Sequence, residues 1–278
     1  MVTERKTLGP DVVGLELAPT TFDYTERDVM LYALGIGAKE LPFIFERELK
    51  VIPTFAVIPA FPALMGLSAG VEINPVMILH GEQSFRIEKT IPTSGSLTTA
   101  GVVTGVYDKG KGALVTIEST TKDAGGEVVF KNTSGVFIRG AGAFGGDRGP
   151  EAGNAAPDRA PDKTVSDTTL DIQAAIYRLS GDRNPLHIDP AFAAMAGYDR
   201  PILHGLCSFG FAGRAVLAAF CDNDPSRLVG FGVRFSGVVY PGDTITTEMW
   251  DEGNGKILVQ AKTQDGRVAI SNAAAEVR

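Results

Sequence analysis

Cysteine is nearly absent from this chain: there are two, Cys207 and Cys221, in 278 residues. Both lie in the apolar stretch from Gly205 to Cys221, which reads as one helix. They are fourteen positions apart, roughly 21 Å along a helix axis and far beyond disulfide reach. An internal disulfide framework is excluded, and with no signal-peptide pattern at the start the expected compartment is a reducing cytoplasm. Histidine is also scarce: His80, His187 and His204 are the only three. With no paired cysteines, they do not make a ligand set of the usual spacing, so no metal site is expected. Excess positive charge is missing, since the net charge is −7 and the isoelectric point about 5.1. That excludes nucleic acid as the main partner. No apolar run stands out as a membrane span. Gly205 to Cys221 comes nearest, but it is short and carries Arg214, so a buried core helix is expected. There is no GxSxG elbow and no phosphate-binding P-loop.

What the chain does contain is the same plan twice. Residues 140–166 are rich in Gly, Ala, Pro and Asp and read as a linker between a half at 1–139 and a half at 167–278. Tyr32 to Gly37 matches Tyr177 to Asp182, and Gly95 to Thr99 matches Gly242 to Thr247. Asp108-x-Gly110-x-Gly112 matches Asp251-x-Gly253-x-Gly255, and Asn132 matches Asn272. Subtracting residue numbers gives shifts of 145, 147, 143 and 140. A nearly constant shift in chain order marks a duplicated unit.

Each half carries four alternating, β-branched segments joined by Gly-rich turns. They are 85–91, 97–107, 113–121 and 127–139, then 229–240, 244–250, 257–263 and 267–277. In the second half the long apolar segment precedes them. The expected fold is α+β: antiparallel sheets, each wrapped on a central helix, in a double hotdog. The equivalent helix of the first half is interrupted by Pro53, Pro59, Pro62, Gly66 and Gly70 and should be degenerate. Its apolar residues Phe55, Val57, Ile58, Phe61, Leu64, Met65 and Leu67 would then line a cleft for an apolar ligand.

Chemistry-bearing residues concentrate in Tyr177-Arg178-Leu179-Ser180-Gly181-Asp182-Arg183-Asn184-Pro185-Leu186-His187-Ile188-Asp189-Pro190. Gly, Asp, Asn and Pro make this a turn, and a turn can fold Asp182 and His187 toward one point. A carboxylate and an imidazole at one point can hold a water and move its protons. An ordinary loop capping a helix near Pro190 has the same composition. The first half reads Gly35-Ile36-Gly37-Ala38 at the matching place and has no counterpart of His187. His204-Gly205 opens the buried helix, where free N–H groups suit an oxygen gaining negative charge. Gly140-Ala141-Gly142-Ala143-Phe144-Gly145 fits GxGxxG, but Gly146-Asp147-Arg148-Gly149-Pro150 follows and no helix can start there. A nucleotide site of the usual kind is therefore not expected.

These motifs, with Pro201-Ile202-Leu203-His204-Gly205-Leu206-Cys207, closely resemble the R-specific enoyl-CoA hydratases, the hydratase 2 group of the MaoC-like family. The likeness covers nearly the whole chain. It implies addition of water to a trans-2-enoyl-CoA to give (R)-3-hydroxyacyl-CoA, with no cofactor. It implies Asp182 and His187 as the catalytic pair, supported by Asn184, with the Gly205 N–H as donor to the thioester oxygen. It also implies substrate contacts at His80, Gly81, Lys109 and Phe235. The partners it implies are an acyl-CoA and a second copy in a homodimer, with no nucleic acid and no membrane. Competing expectations are a hotdog acyl-CoA thioesterase, an acyl-carrier dehydratase, or a non-catalytic CoA-binding protein, the last suggested by the degenerate first half.

Overall fold

The computed structural model describes residues 5–74 and 77–278. In chain order the first half comprises β1 (Lys6–Thr7), β2 (Glu16–Tyr24), α1 (Glu26–Gly35), α2 (Leu41–Ile44), α3 (Val57–Met65), α4 (Leu67–Gly70) and β3 (Val71–Glu72). It continues with β4 (Ile78–Ile87), β5 (Gly95–Asp108), β6 (Gly112–Asp123) and β7 (Val128–Arg139). The second half comprises β8 (Lys163–Thr168), α5 (Gln173–Tyr177), α6 (Pro190–Met195), α7 (Gly205–Phe220), β9 (Leu228–Phe235), β10 (Thr244–Asp251), β11 (Lys256–Thr263) and β12 (Val268–Val277).

Ten strands form one antiparallel sheet in the order β2-β5-β6-β7-β4-β9-β12-β11-β10-β8. The first five come from one half and the last five from the other, in mirrored order. The seam is β4 against β9, with Phe85 opposite Phe231. The repeat in the sequence is therefore a repeat in space about a pseudo-two-fold axis at this seam. The matched tyrosines meet across the halves: Tyr32 and Tyr177, both buried, have ring centroids 6.1 Å apart.

The strands form for the reason their sequence suggests. Along β5, Leu97, Thr99 and Val103 face inward while Thr98, Ala100 and Thr104 face out, the period of a half-buried strand. β8 begins inside the stretch read as linker. It went unseen because only Val165 of Lys163–Thr168 is apolar and the strand lies at the sheet edge. The rest of that stretch is tied down too: the Trp250 indole N–H donates to Arg159 O (2.9 Å), and Asn272 Nδ2 donates to Gly153 O (2.8 Å).

Helix α7 is buried from Leu206 to Leu217, as a helix apolar all round must be. Two of its glycines let it approach the first half closely. A Cβ on Gly210 would meet Ile36 Cγ2 at 2.3 Å, and one on Gly213 would meet Thr54 Cγ2 at 2.4 Å. Cys207 and Cys221 are free and buried, consistent with the helix drawn through the first and ending at the second.

In the first half the central helix is broken into a 3-10 turn (Pro53–Ala56), α3 and α4. Together they form a segment, Pro53–Gly70, that among the described residues is the one that by length and composition alone could cross a membrane, with mean hydropathy 1.3. This corrects the expectation that Gly205 to Cys221 comes closest. The segment sits against the sheet, with α3 packed on β2 and β5. Breaking the helix does not leave the half hollow. A second core of Val12, Leu17, Leu67, Val71, Val103, Val115 and their neighbours packs the far part of this half.

Arg214, 5% exposed, ties α7 to both halves. Its NH2 group donates to Asp167 (2.7 Å), its NH1 group to Glu40 (3.3 Å) and its Nε–H to Ile36 O (3.3 Å). Removing one member of such a group strands buried charge. Arg214→Ala is expected to cost about 3–5 kcal/mol, measured by urea unfolding; a loss below about 1 kcal/mol would show that the cluster contributes nothing.

Candidate active site

The site assembles at the N-terminus of α7. Leu203 N–H donates to Val239 O, and the helix ladder begins with Cys207 N–H and Ser208 N–H on His204 O. Between them, Gly205 N–H and Leu206 N–H have no protein acceptor among the described residues. The first N–H groups of a helix are always orphaned, and the dipole adds positive potential there. Gly205 lies against the Phe235 ring, which a Cβ at that position would touch at 3.4 Å.

The loop carrying Asp182 and His187 folds over this helix start. Asp182 accepts from Asn184 N–H (3.1 Å), and Asn184 Oδ1 accepts from Leu186 N–H (3.0 Å), capping the turn Pro185–His187. Asp189 in turn caps α6 through Ala191 N–H (2.8 Å). The helix-capping reading of this loop thus holds at Asp189, while Asp182 and His187 are left for other contacts. His187 is buried, and its Nδ1–H donates to Ile202 O at 2.9 Å. A carbonyl only accepts, so in the neutral ring Nε2 is bare and is itself an acceptor. Burial lowers the His187 pKa from its ordinary value, against the opposing pull of Asp182.

His204 completes the cluster. It is 1% exposed. Its ring stacks on His187 with centroids 3.7 Å apart, and its Nε2–H donates to the Asp182 carbonyl at 3.1 Å. Burial, and then the neighbouring His187, push its pKa down to about 2, so it is neutral. Ligating atoms of Asp182, His187 and His204 all lie within 4.8 Å of one another. The sequence separates the two imidazoles by seventeen positions, and only the fold brings them together. His204 was read as a helix entry; its grip on the catalytic loop carried no sequence signal.

The residues expected to contact substrate fall in two places. His80 and Phe235 meet edge to face, centroids 5.3 Å apart, so Phe235 bridges His80 on β4 and Gly205 on α7. Gly81 is the bulge of β4: the register on β7 jumps from His80–Val136 to Glu82–Gly135. His80 Nε2–H donates to Gln83 Oε1 (3.1 Å), and burial lowers its pKa to about 4. Lys109 stands apart, on the β5–β6 hairpin, with its ammonium on Arg148 O.

From Leu206 a crevice of about 10 Å³ runs into the first half, lined by Val57, Ala60, Phe61, Leu64, His80, Gln83 and Ser134. Of the residues expected to line it, Val57, Phe61 and Leu64 do. Phe55, Ile58 and Leu67 are instead core, and Met65 is exposed. The volume is that of about one water.

The chain has clear relatives. Residues 22–140 match the MFE-2 hydratase 2 N-terminal domain, and residues 152–274 match the MaoC like domain. It belongs to the MaoC-like hydratase 2 family of hydro-lyases. A probable enoyl-CoA hydratase 2 of Dictyostelium discoideum is 45% identical over 95% of this chain and 94% of its own length. The peroxisomal multifunctional enzyme type 2 of Mus musculus is 45% identical over 94% of the chain, which spans 37% of that longer protein. The crystal structure of a MaoC-like dehydratase from Phytophthora capsici superposes with a TM-score of 0.90, at 38% identity and 98% coverage of both chains. Double hotdog proteins are among the structural neighbours.

Three histidines with lowered pKa, His187 and His204 buried and His80 partly buried, make stability depend on pH. In the unfolded chain each titrates near 6.5, whereas the folded values lie lower. The unfolded state therefore binds protons that the folded state refuses, and stability is lost as pH falls below about 6.5. The unfolding midpoint should drop between pH 7 and pH 5, and His204→Gln should flatten that slope by about one proton's share. A midpoint level across this range would refute the assignment of neutral histidines.

Proposed function

We propose that this protein adds water to trans-2-enoyl-CoA thioesters of β-oxidation, giving (R)-3-hydroxyacyl-CoA. The observation that carries the reading is one juxtaposition. A carboxylate and an imidazole, Asp182 and His187, lie within 4.8 Å of His204, the residue that precedes the unpaired N–H groups at the start of α7.

The thioester carbonyl of the substrate takes the Gly205 N–H. Asp182 and His187 Nε2, both acceptors, hold the two O–H bonds of one water. Attack forms the C–O bond at the β-carbon, and the alkene pair moves into an enolate on the thioester oxygen. One donor to such an oxyanion is worth about 3–4 kcal/mol elsewhere. Asp182 takes the water's proton and returns it to the α-carbon on the same face; His187, with Nε2 unprotonated, orients the water. The thioester already activates the alkene, so the chemistry needs no cofactor. Asn184 supports the pair by capping the turn that carries His187.

The acyl tail enters the first half. Leu206, next to the oxyanion donor, opens the crevice beneath α3, and its lining is apolar apart from His80, Gln83 and Ser134. An acyl chain needs far more room than the crevice has, so α3 must shift outward to admit it. Each methylene then buried contributes about 0.8 kcal/mol. This favours medium, long or bulky tails.

Loss of the enoyl absorbance of crotonyl-CoA, with chiral analysis of the product, tests the reaction. Mainly S product, or release of CoA thiol, would overturn it in favour of another hydratase or a thioesterase. Asp182→Asn and His187→Ala should each lower kcat by roughly 10²–10⁴-fold in folded protein. Because both act on one water, the double variant should lose far less than the product of the two. Wild-type turnover in either single variant would sink the pair. Along a series of enoyl-CoA lengths, kcat/KM should hold or rise from four carbons through ten. A sharp fall beyond six would show that the crevice does not open.

A further inference from the structure

Three polar residues, His80, Gln83 and Ser134, stand in the wall of an otherwise apolar crevice, and their hydrogen bonds run one way. The chain starts from two backbone carbonyls, which can only accept. Asn132 Nδ2 donates to Ala56 O (3.2 Å), so Asn132 turns its Oδ1 to Gln83. Gln83 Nε2 donates to that Oδ1 and to Ser84 O, both at 2.9 Å. Its Oε1 then accepts from Ser134 Oγ–H (2.8 Å) and from His80 Nε2–H (3.1 Å). These four bonds use the whole Gln83 amide. Turning it over would set its oxygen against the Ser84 carbonyl. The direction is therefore fixed as far as His80, whose neutral ring, giving Nε2–H to Gln83, has a bare Nδ1.

Buried amides destabilise a fold unless every group is paired. Gln83, Asn132 and Ser134 are all buried, and apolar side chains would line a crevice with less demand for pairing. What the polar chain delivers is the state of one imidazole. It runs from the 3-10 turn Pro53–Ala56 through β7 to β4 and ends on His80, which Phe235 links to Gly205. No other charged group sets that state. The remaining crevice residues, Val57, Ala60, Phe61, Leu64 and Leu206, are apolar. Glu82, two residues along β4, and Arg234, opposite it on β9, pair with each other (2.9 Å). Burial disfavours a second proton on His80, and the pull of the Gln83 oxygen and the Glu82 backbone offsets this only in part.

We infer that Gln83 is a positioning residue that sets the specificity of the crevice: with both ends of its amide committed, it holds His80 uncharged and with Nε2–H turned to it, so the wall that an acyl tail meets carries no charge. This rests on the acyl-CoA reading. An amide is required at 83 because a carboxylate of the same length would accept from His80 and Ser134 but set oxygen against Asn132 Oδ1 and Ser84 O, and would draw a second proton onto His80. A cation in that wall opposes burial of an apolar tail.

The test joins a spectroscopic readout to a kinetic one. With three histidines in the chain, long-range 1H–15N spectra of histidine-labelled protein contain three imidazoles, and His80→Gln assigns the one in question. In wild type at pH 7, His80 should be neutral with its proton on Nε2. In Gln83→Glu it should be a cation, and in Gln83→Met it should lose its single tautomer. In Gln83→Glu, KM for a ten-carbon enoyl-CoA should rise about tenfold or more over any change for crotonyl-CoA, as a charge beside an apolar tail requires. Gln83→Met places no charge there and should raise it by a much smaller factor. A wild-type His80 with its proton on Nδ1, a neutral His80 in Gln83→Glu, or an equal rise in KM for both esters would overturn the inference. If Gln83→Glu does not fold, the Gln83→Met spectrum decides, and an unchanged tautomer there would overturn it too. A wild-type protein that hydrates neither ester would instead refute the hydratase reading, and the spectra would still decide whether Gln83 holds His80.

Discussion

A buried helix cannot satisfy its own beginning. Twelve residues of α7, Leu206 to Leu217, are buried, and the N–H groups of Gly205 and Leu206 are left over at its start. Most proteins cap such groups with a side chain or leave them in water. Here the preceding residue, His204, turns its ring away to stack on His187 and to hold the Asp182 carbonyl. The helix start stays uncapped, and the same residue that declines to cap it holds the loop of Asp182 and His187 alongside. The free N–H groups and the Asp182–His187 pair are thus coupled through one imidazole.

The two halves show how one architecture serves opposite ends. In the second, an unbroken helix fills the sheet and the N–H groups at its start are left without a protein acceptor among the described residues. In the first, prolines and glycines break the helix, and residues from the chain's beginning join a second core there. What remains between α3 and β4 is a narrow apolar crevice that opens at Leu206. The matching loop at Gly35 to Gly37 has no acid or base. Its carbonyl at Gly35 instead accepts from Gln173 Nε2 (2.7 Å) and Cys207 Sγ (3.2 Å), gripping α7 from behind. That loop has become support for the half that reacts.

Much of this was legible from the residues. Alternation located seven of the strands and only the last three residues of β4, which runs from Ile78 to Ile87, and the constant shift between Tyr32 and Tyr177, or Gly95 and Gly242, implied the pseudo-symmetry. Asp182 and His187 were visible because five positions and a turn suffice to bring them together. The edges were not legible: β8 has one apolar residue, and no local pattern tells which strands meet at a seam between residues 85 and 231. His204 escaped because its partner lies seventeen positions earlier and the contact exists only after folding. The GxGxxG pattern was rightly set aside as a helix-borne site, yet nothing local shows that its Ala143 and Gly145 N–H groups close on the Asp108 carboxylate. Pairings of that kind depend on where the chain returns, and a single sequence does not record it.

The seam between β4 and β9 has a consequence for how such a protein can change. Were the halves separate identical subunits, any widening of one interior for a larger ligand would be copied into the other, and the unbroken buried helix would be lost with it. Joining them in one chain across a continuous sheet uncouples the two interiors. Each can drift on its own, the one toward capacity and the other toward reactivity, while the strand pairing at residues 82–86 keeps their spacing constant.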